Sequence, residues 1–195
     1  SGAKIDDQLG DRCQKVLDNL SLTNLSSLLQ CQLIGINFSD RKKMKNLSAI
    51  VGMNSFGSFL WEKNLYNQIN IPLFLTGGTF DLVTPSISEQ LGLLLTVSSS
   101  PLSRVLLIEG ASHFSPIRVE GQMYQSEGKD LFNLGESIVG YHPLSVQSLL
   151  AFQIIGFLEK LEEKKSISSK TNITRGELKF HILDRSLIEK LVKVQ

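Results

Sequence analysis

Ile71-Pro72-Leu73-Phe74-Leu75-Thr76-Gly77-Gly78-Thr79-Phe80-Asp81 is an apolar run that stops at two glycines and then presents a carboxylate. Arg104-Val105-Leu106-Leu107-Ile108-Glu109-Gly110-Ala111-Ser112-His113-Phe114-Ser115 repeats the pattern with an imidazole at its end. Short apolar runs bounded by small turn residues read as strands buried on both faces. Pro72 suits the beginning of the first, and Gly77-Gly78 lets the chain turn sharply after it. Asp81 and His113 therefore fall at the carboxyl ends of successive strands, where open parallel sheets hold their ligands.

Outward from this pair, Leu47-Ser48-Ala49-Ile50-Val51-Gly52-Met53 predicts one more buried strand. Thr84-Pro85, with Glu89 in the first turn, opens a helix running to about Thr96. Leu144 to Lys164 is the clearest helix, with a stripe of Leu144, Gln147, Leu150, Ala151, Ile154, Ile155, Leu158 and Leu161. Residues 1–33 read as helical, Ile5, Leu9, Cys13, Val16, Leu17 and Leu20 forming one face, with Thr23 as N-cap of a second helix from Leu25 to Leu33. Residues 35–46 are a solvated basic loop, and 114–143 a long loop with a short helix near Lys129 to Leu134. Ser166 to Thr174 reads as a polar linker. Beyond it lie the alternating Leu178-Lys179-Phe180-His181-Ile182 and a short amphipathic helix from Arg185 to Val194.

Strands alternating with helices predict the α/β class, three layers about a mostly parallel sheet. The expected division is 1–165 as one incomplete domain, with 1–46 a helical cap segment and 47–165 the sheet and its helices, and 166–195 as linker and tail. Three strands are few for such a sheet, so the expectation is the back half of something larger. Hydrophobic residues at 42% and charged residues at 20% suit a globular chain, and a net charge of +1 gives no reason to expect nucleic acid or an anionic membrane as partner. No stretch approaches the roughly 18 apolar residues of a membrane helix, and no signal-peptide pattern stands at the N-terminus. The compartment stays open, with a soluble, cytoplasmic setting preferred. Cys13 and Cys31 lie 18 apart without CxxC spacing or a nearby histidine, which argues against a metal site. They read first as two small buried apolar residues, with a disulfide, and so an oxidising compartment, as the alternative. Asn-x-Ser/Thr occurs at Asn19, Asn24, Asn37, Asn46 and Asn172, a pattern too short to carry weight alone.

A histidine whose tautomer is fixed by a carboxylate can take a proton from a nucleophile and return it to a leaving group. The competing reading makes Asp81 a helix cap and His113 a surface residue. Ser55, in Gly52-Met53-Asn54-Ser55-Phe56-Gly57, precedes both, but Met53 stands where a strained nucleophile turn needs a small residue. Ser112 and Ser115 share the histidine's own turn and cannot easily point at its ring. Phe56, Phe59 and Trp61 read as core packing before acyl-pocket lining. His142 and His181 read as surface histidines. Met44, Met53 and Met123 read as packing or surface residues.

The stretches from Ile71 to Pro85 and from Leu106 to Phe114 resemble the acid and histidine turns of an α/β-hydrolase. They are most similar to bacterial predicted dienelactone hydrolases related to platelet-activating-factor acetylhydrolases, in which a G-x-D-x-x-x-P-like turn holds the acid and a G-A-x-H-F turn the histidine. The similarity reaches about residues 1–160, including Leu28-Leu29-Gln30-Cys31 and Ala49 to Trp61, with its specific motifs within 71–116. It implies the C-terminal portion of an α/β-hydrolase fold, Asp81 and His113 as catalytic residues, a small ester or lactone as substrate, and no cofactor. The chain departs from the family at the nucleophile: no G-x-S-x-G occurs. Ser1-Gly2-Ala3-Lys4-Ile5-Asp6 resembles the family's sequence just after the helix that follows that elbow. The expectation is a fragment, inactive alone, whose elbow lies about 10–20 residues before Ser1. The alternative is a non-catalytic remnant serving as an assembly module, and either way a homo-oligomer is expected.

Overall fold

The computed structural model describes residues 7–19, 25–36, 46–61, 69–116 and 143–193. Its frame is a five-stranded sheet of β1 (Ile50–Met53), β2 (Leu73–Gly78), β3 (Arg104–Ile108), β4 (Lys170–Arg175) and β5 (Leu178–Leu183), in the order β1-β2-β3-β5-β4. The three apolar runs pair in parallel, β1 to β2 and β2 to β3. β5 then pairs antiparallel with β3, and β4 antiparallel with β5. The sheet is mixed, and the fold is of the α/β class.

The helices are α1 (Leu9–Asp18), α2 (Leu25–Cys31), a π-helical turn (Ile87–Leu91) running into α3 (Gly92–Val97), α4 (Pro143–Glu162) and α5 (Arg185–Lys193). β2 is buried at every position because helices cover both faces of the sheet. On one face Phe74, Leu106, Ile108, Phe180 and Ile182 pack with Val146, Leu149, Leu150 and Phe157 of α4. The Phe74 and Phe157 rings lie 4.8 Å apart, a pair worth about 0.5–1.5 kcal/mol beyond its buried area. On the other face Leu73, Leu75, Val105 and Leu183 pack with Leu91, Leu94 and Ile188. A third, smaller cluster joins α1 and α2 through Leu9, Cys13 and Leu60, with Phe59 and Trp61 against it.

Several elements differ from the sequence expectations. The stretch read as a polar linker contains β4, whose only apolar residue is Ile173, so alternation gives no signal and pairing with β5 makes the strand. Arg104 secures the neighbouring chain, its guanidinium donating to the carbonyls of Ile167, Pro101 and Ser103. Cys13 and Cys31 are joined in a disulfide, not left as separate packing residues. The helix after Pro85 begins as a π turn. α4 is apolar on nearly every side, and by length and composition alone it is long and apolar enough to cross a membrane, but it packs against the sheet as a core helix, consistent with the expectation of no membrane span. Its core face is Val146, Leu149, Leu150 and Phe157, whereas Leu144, Ala151, Ile155 and Leu158 of the expected stripe are exposed. With its polar residues scattered around it, the helix offers no single polar face to choose its orientation, so the sheet chooses it. Thr23, the basic cluster at 40–45, the short helix near 129–134, His142, Met44 and Met123 lie outside the described residues.

Candidate active site

β2 and β3 are in register, Gly78 opposite Ile108, so their chains leave the sheet side by side. They stay bonded beyond it. Thr79 N–H donates to Ile108 O (3.0 Å), Phe80 N–H to Ala111 O (2.9 Å) and Gly110 N–H to Thr79 Oγ1 (2.9 Å). A Cβ on Gly78 would stand 1.9 Å from the Ala111 carbonyl oxygen, so only glycine permits this approach. Gly110, at φ 73°, turns the second chain back towards the first.

That approach delivers Asp81 and His113 to one place, Asp81 Oδ2 3.0 Å from His113 Nδ1. Asp81 is buried and uses both oxygens. Oδ1 accepts the backbone N–H groups of Val83 (2.9 Å) and Thr84 (2.7 Å), while Oδ2 accepts the Thr84 hydroxyl (2.8 Å) and faces the imidazole. The carboxylate thus caps the following turn and holds the histidine at once; the two sequence readings are not exclusive. A carboxylate only accepts, so the bond requires the proton on Nδ1 and leaves the Nε2 lone pair unengaged in the neutral ring. No described residue bonds Nε2, and the His113 side chain keeps 22% of its surface exposed.

Two further residues hold the pair. Thr84 Oγ1, having given its proton to Asp81, stands 3.1 Å from His113 Nδ1 as an acceptor. Asn54, just past β1, donates its side-chain amide to His113 O at 2.5 Å. Sequence reasoning treated Thr84 only as a helix start and passed over Asn54. The Asp-Leu-Val-Thr-Pro spacing carried a signal for Thr84; for Asn54 only the fold brings β1 to the histidine turn. Asn54 has φ 46°, a left-handed conformation that asparagine tolerates better than most residues.

The serines stand elsewhere. Ser112 and Ser115 are buried and bond one another, Ser112 N–H donating to Ser115 Oγ at 2.9 Å. Ser55 accepts the Gln90 side-chain amide at its carbonyl, and its Oγ lies over Gly52, with no hydrogen bond to His113. Phe59 and Trp61 pack on the α1–α2 cluster, whereas Phe56 is exposed. His181, on β5, meets Glu109 instead, Nε2 to Oε1 at 2.7 Å, and accepts Asn172 N–H at Nδ1 (3.2 Å). Hydrogen bonds from Lys179 and then from His181 hold the Glu109 carboxyl below the ordinary carboxylate range. Among the described residues no three His, Cys, Asp or Glu side chains are grouped to hold a metal ion.

The chain matches no protein-family model, no curated protein and no solved structure.

Proposed function

We propose that Asp81 and His113 are the acid and base of a serine-type hydrolase acting on an ester or lactone, within an α/β-hydrolase fold of which this chain is the C-terminal portion. One observation carries the reading: a buried carboxylate fixes Nδ1 of a partly exposed imidazole whose Nε2 no described residue bonds, at the carboxyl end of the parallel strands. In that tautomer Nε2 takes the proton of an attacking hydroxyl, and Asp81 stabilises the imidazolium that forms. The hydroxyl oxygen adds to the substrate carbonyl. The tetrahedral intermediate collapses to an acyl-enzyme, His113 returning the proton to the departing alcohol. Water, deprotonated by the same Nε2, then releases the acid.

No serine of the described residues is bonded to Nε2, and the sequence has no G-x-S-x-G. The nucleophile in this reading comes from outside these 195 residues. The test is a longer form of the chain carrying the upstream reading frame, assayed with p-nitrophenyl esters and a fluorophosphonate label. The expected result is hydrolysis and labelling at a serine before Ser1, both abolished by His113→Ala, with neither in the 195-residue chain. Hydrolysis that survives His113→Ala would sink the reading, and a label on Ser55 would overturn the external nucleophile.

A second reading, a non-catalytic assembly module, draws on two uncovered apolar surfaces. β1 is a sheet edge with Val51 and Met53 exposed, and α4 leaves Leu144, Ile155 and Leu158 outside the core. Open edges and apolar patches favour self-association. Sedimentation of a compact monomer at micromolar concentration would count against it.

A further inference from the structure

The segment from Asn54 to Phe59 is a strap tied down along its length. At one end Asn54 donates to His113 O, and its own carbonyl lies 3.3 Å from Thr84 Oγ1. In the middle Ser55 O accepts from Gln90. Beyond it Gly57 N–H (2.9 Å) and Ser58 N–H (3.1 Å) both donate to one oxygen, Glu89 Oε2. At the far end Phe59 N–H donates to Gln30 Oε1 at 2.8 Å. Gln30 closes the loop by donating its amide to Glu89 Oε1 at 2.9 Å. Glu89 and Gln30 are fully enclosed, at 1% and 0% exposure, and come from elements 59 residues apart in sequence.

A carboxylate in this place is costly unless every lone pair is used, and an apolar packing pair would hold two elements together at less cost. It sits on a π-helical turn, an irregularity found most often at functional sites. What the carboxylate supplies that a leucine cannot is a fixed position for two successive backbone amides. The strap that those amides belong to ends on the histidine turn.

We infer that Glu89 and Gln30 are positioning residues: their buried pair sets the strap from Asn54 to Phe59, and through Asn54 the strap sets the orientation of His113 against Asp81. The inference rests on the proposed function only in naming what the positioned histidine is for. Gln30 itself is anchored by its neighbour Cys31, whose disulfide to Cys13 ties α2 to α1.

The donor pattern gives a direct test. Glu89→Gln alone must turn an NH₂ group either towards the Gln30 amide or towards the Gly57 and Ser58 amides. Combining it with Gln30→Glu reverses one donor and rebuilds the network. The amide introduced at position 89 then donates its NH₂ to the carboxylate introduced at position 30, and its oxygen accepts the two strap amides. The second oxygen of that carboxylate accepts Phe59 N–H. The exception is Ser26 O, which accepted the Gln30 amide at 3.2 Å and in the double variant faces a carboxylate oxygen, so the rescue is expected to be partial. The readouts are amide exchange at Gly57, Ser58 and Phe59 and the ring ¹⁵N signals of His113, in the purified 195-residue chain.

In Glu89→Gln, exchange at Gly57 and Ser58 is expected to quicken about ten- to a hundredfold, as for loss of a buried bond to a charged acceptor. The His113 ring signals move, while β3 and β5 keep their protection. The double variant returns both readouts towards the parent. If Glu89→Gln does not fold, the comparison is made between the double variant and Gln30→Ala. Unchanged His113 signals in a folded single variant would overturn the inference. So would protection lost equally across the sheet, or a folded double variant that rescues neither readout. Absence of ester hydrolysis in every longer form would sink the proposed function and leave these readouts untouched, so the two failures are distinguishable.

Discussion

Among the described residues stand two histidine–carboxylate pairs, and they differ in nearly every respect except distance. Asp81–His113 spans 3.0 Å between turns at the carboxyl ends of β2 and β3; Glu109–His181 spans 2.7 Å between the end of β3 and the antiparallel β5. In the first pair the carboxylate is buried and receives two backbone amides and a hydroxyl besides the imidazole. In the second the carboxylate is partly exposed and shared with Lys179 at 3.0 Å. His113 spends only Nδ1, and no described residue bonds its Nε2. His181 spends both nitrogens, one on Glu109 and one on Asn172 N–H, so it has no lone pair left to act as a base. A close carboxylate therefore does not by itself leave a histidine free to take a proton; among these pairs only His113 keeps a nitrogen unengaged, beside a buried and fully bonded acid.

The contrast breaks most visibly at Asp81. Asp81→Ala strands two buried amides, the Thr84 hydroxyl and His113 Nδ1 together. Removing one partner of such a buried arrangement costs about 3–5 kcal/mol, and the urea midpoint is expected to fall accordingly. A midpoint within experimental error of the parent would show that the site is not the rigid, enclosed unit its bonds describe.

The turns that carry the pairs differ as sharply. A methyl on Gly78 meets the Ala111 carbonyl at 1.9 Å, whereas one on Gly176, in the β4–β5 turn, meets nothing within 4 Å. Gly78→Ala must part the acid and histidine turns, at about 1–3 kcal/mol or more. It should also remove the Asp81–His113 bond, read as a change in the His113 ring ¹⁵N signals. Gly176→Ala suffers only its left-handed backbone, φ 60°, at about 1–2 kcal/mol, and should leave His113 undisturbed. Equal effects of the two substitutions on His113 would erase the distinction between a contact glycine and a conformational one.

What the sequence made legible follows the same division. The parallel half is written in continuous apolar runs that end in small residues, so β2, β3, Asp81 and His113 are legible from the sequence. The antiparallel half is written in backbone pairing. Lys170-Thr171-Asn172-Ile173-Thr174-Arg175 has no alternation, and its strand exists because Leu178, Phe180 and Ile182 of β5 bury themselves and offer an edge. The supporting residues were illegible for a related reason. Asn54, Gln30 and Glu89 are polar groups whose partners are tens of residues away, and local periodicity carries no record of such pairings. The disulfide is the second reading of the sequence because 18-residue spacing alone does not set two cysteines face to face.

The smallest effect separates the pairs by medium instead of by geometry. Glu109 is exposed enough for solvent and ions to screen it, so Glu109→Gln is expected to change stability little, and not measurably at 1 M salt, where the screening length is about 3 Å. Its pH dependence has a definite sign. Bonds from Lys179 and His181 depress the folded-state pKa below that of the unfolded chain, about 4.3. Any stabilisation is therefore fully present above that value and is lost as pH falls through the lower, folded one. At low salt the parent and Glu109→Gln should differ near pH 6 and converge only as pH falls through the depressed folded-state value, read from urea midpoints. Asp81 is shielded from bulk ions by its own burial, so the deficit of Asp81→Ala near pH 6 should survive 1 M salt. A Glu109 difference that persisted at high salt would mean that the β5 pair is as enclosed as the site, and the line drawn between them would have to move.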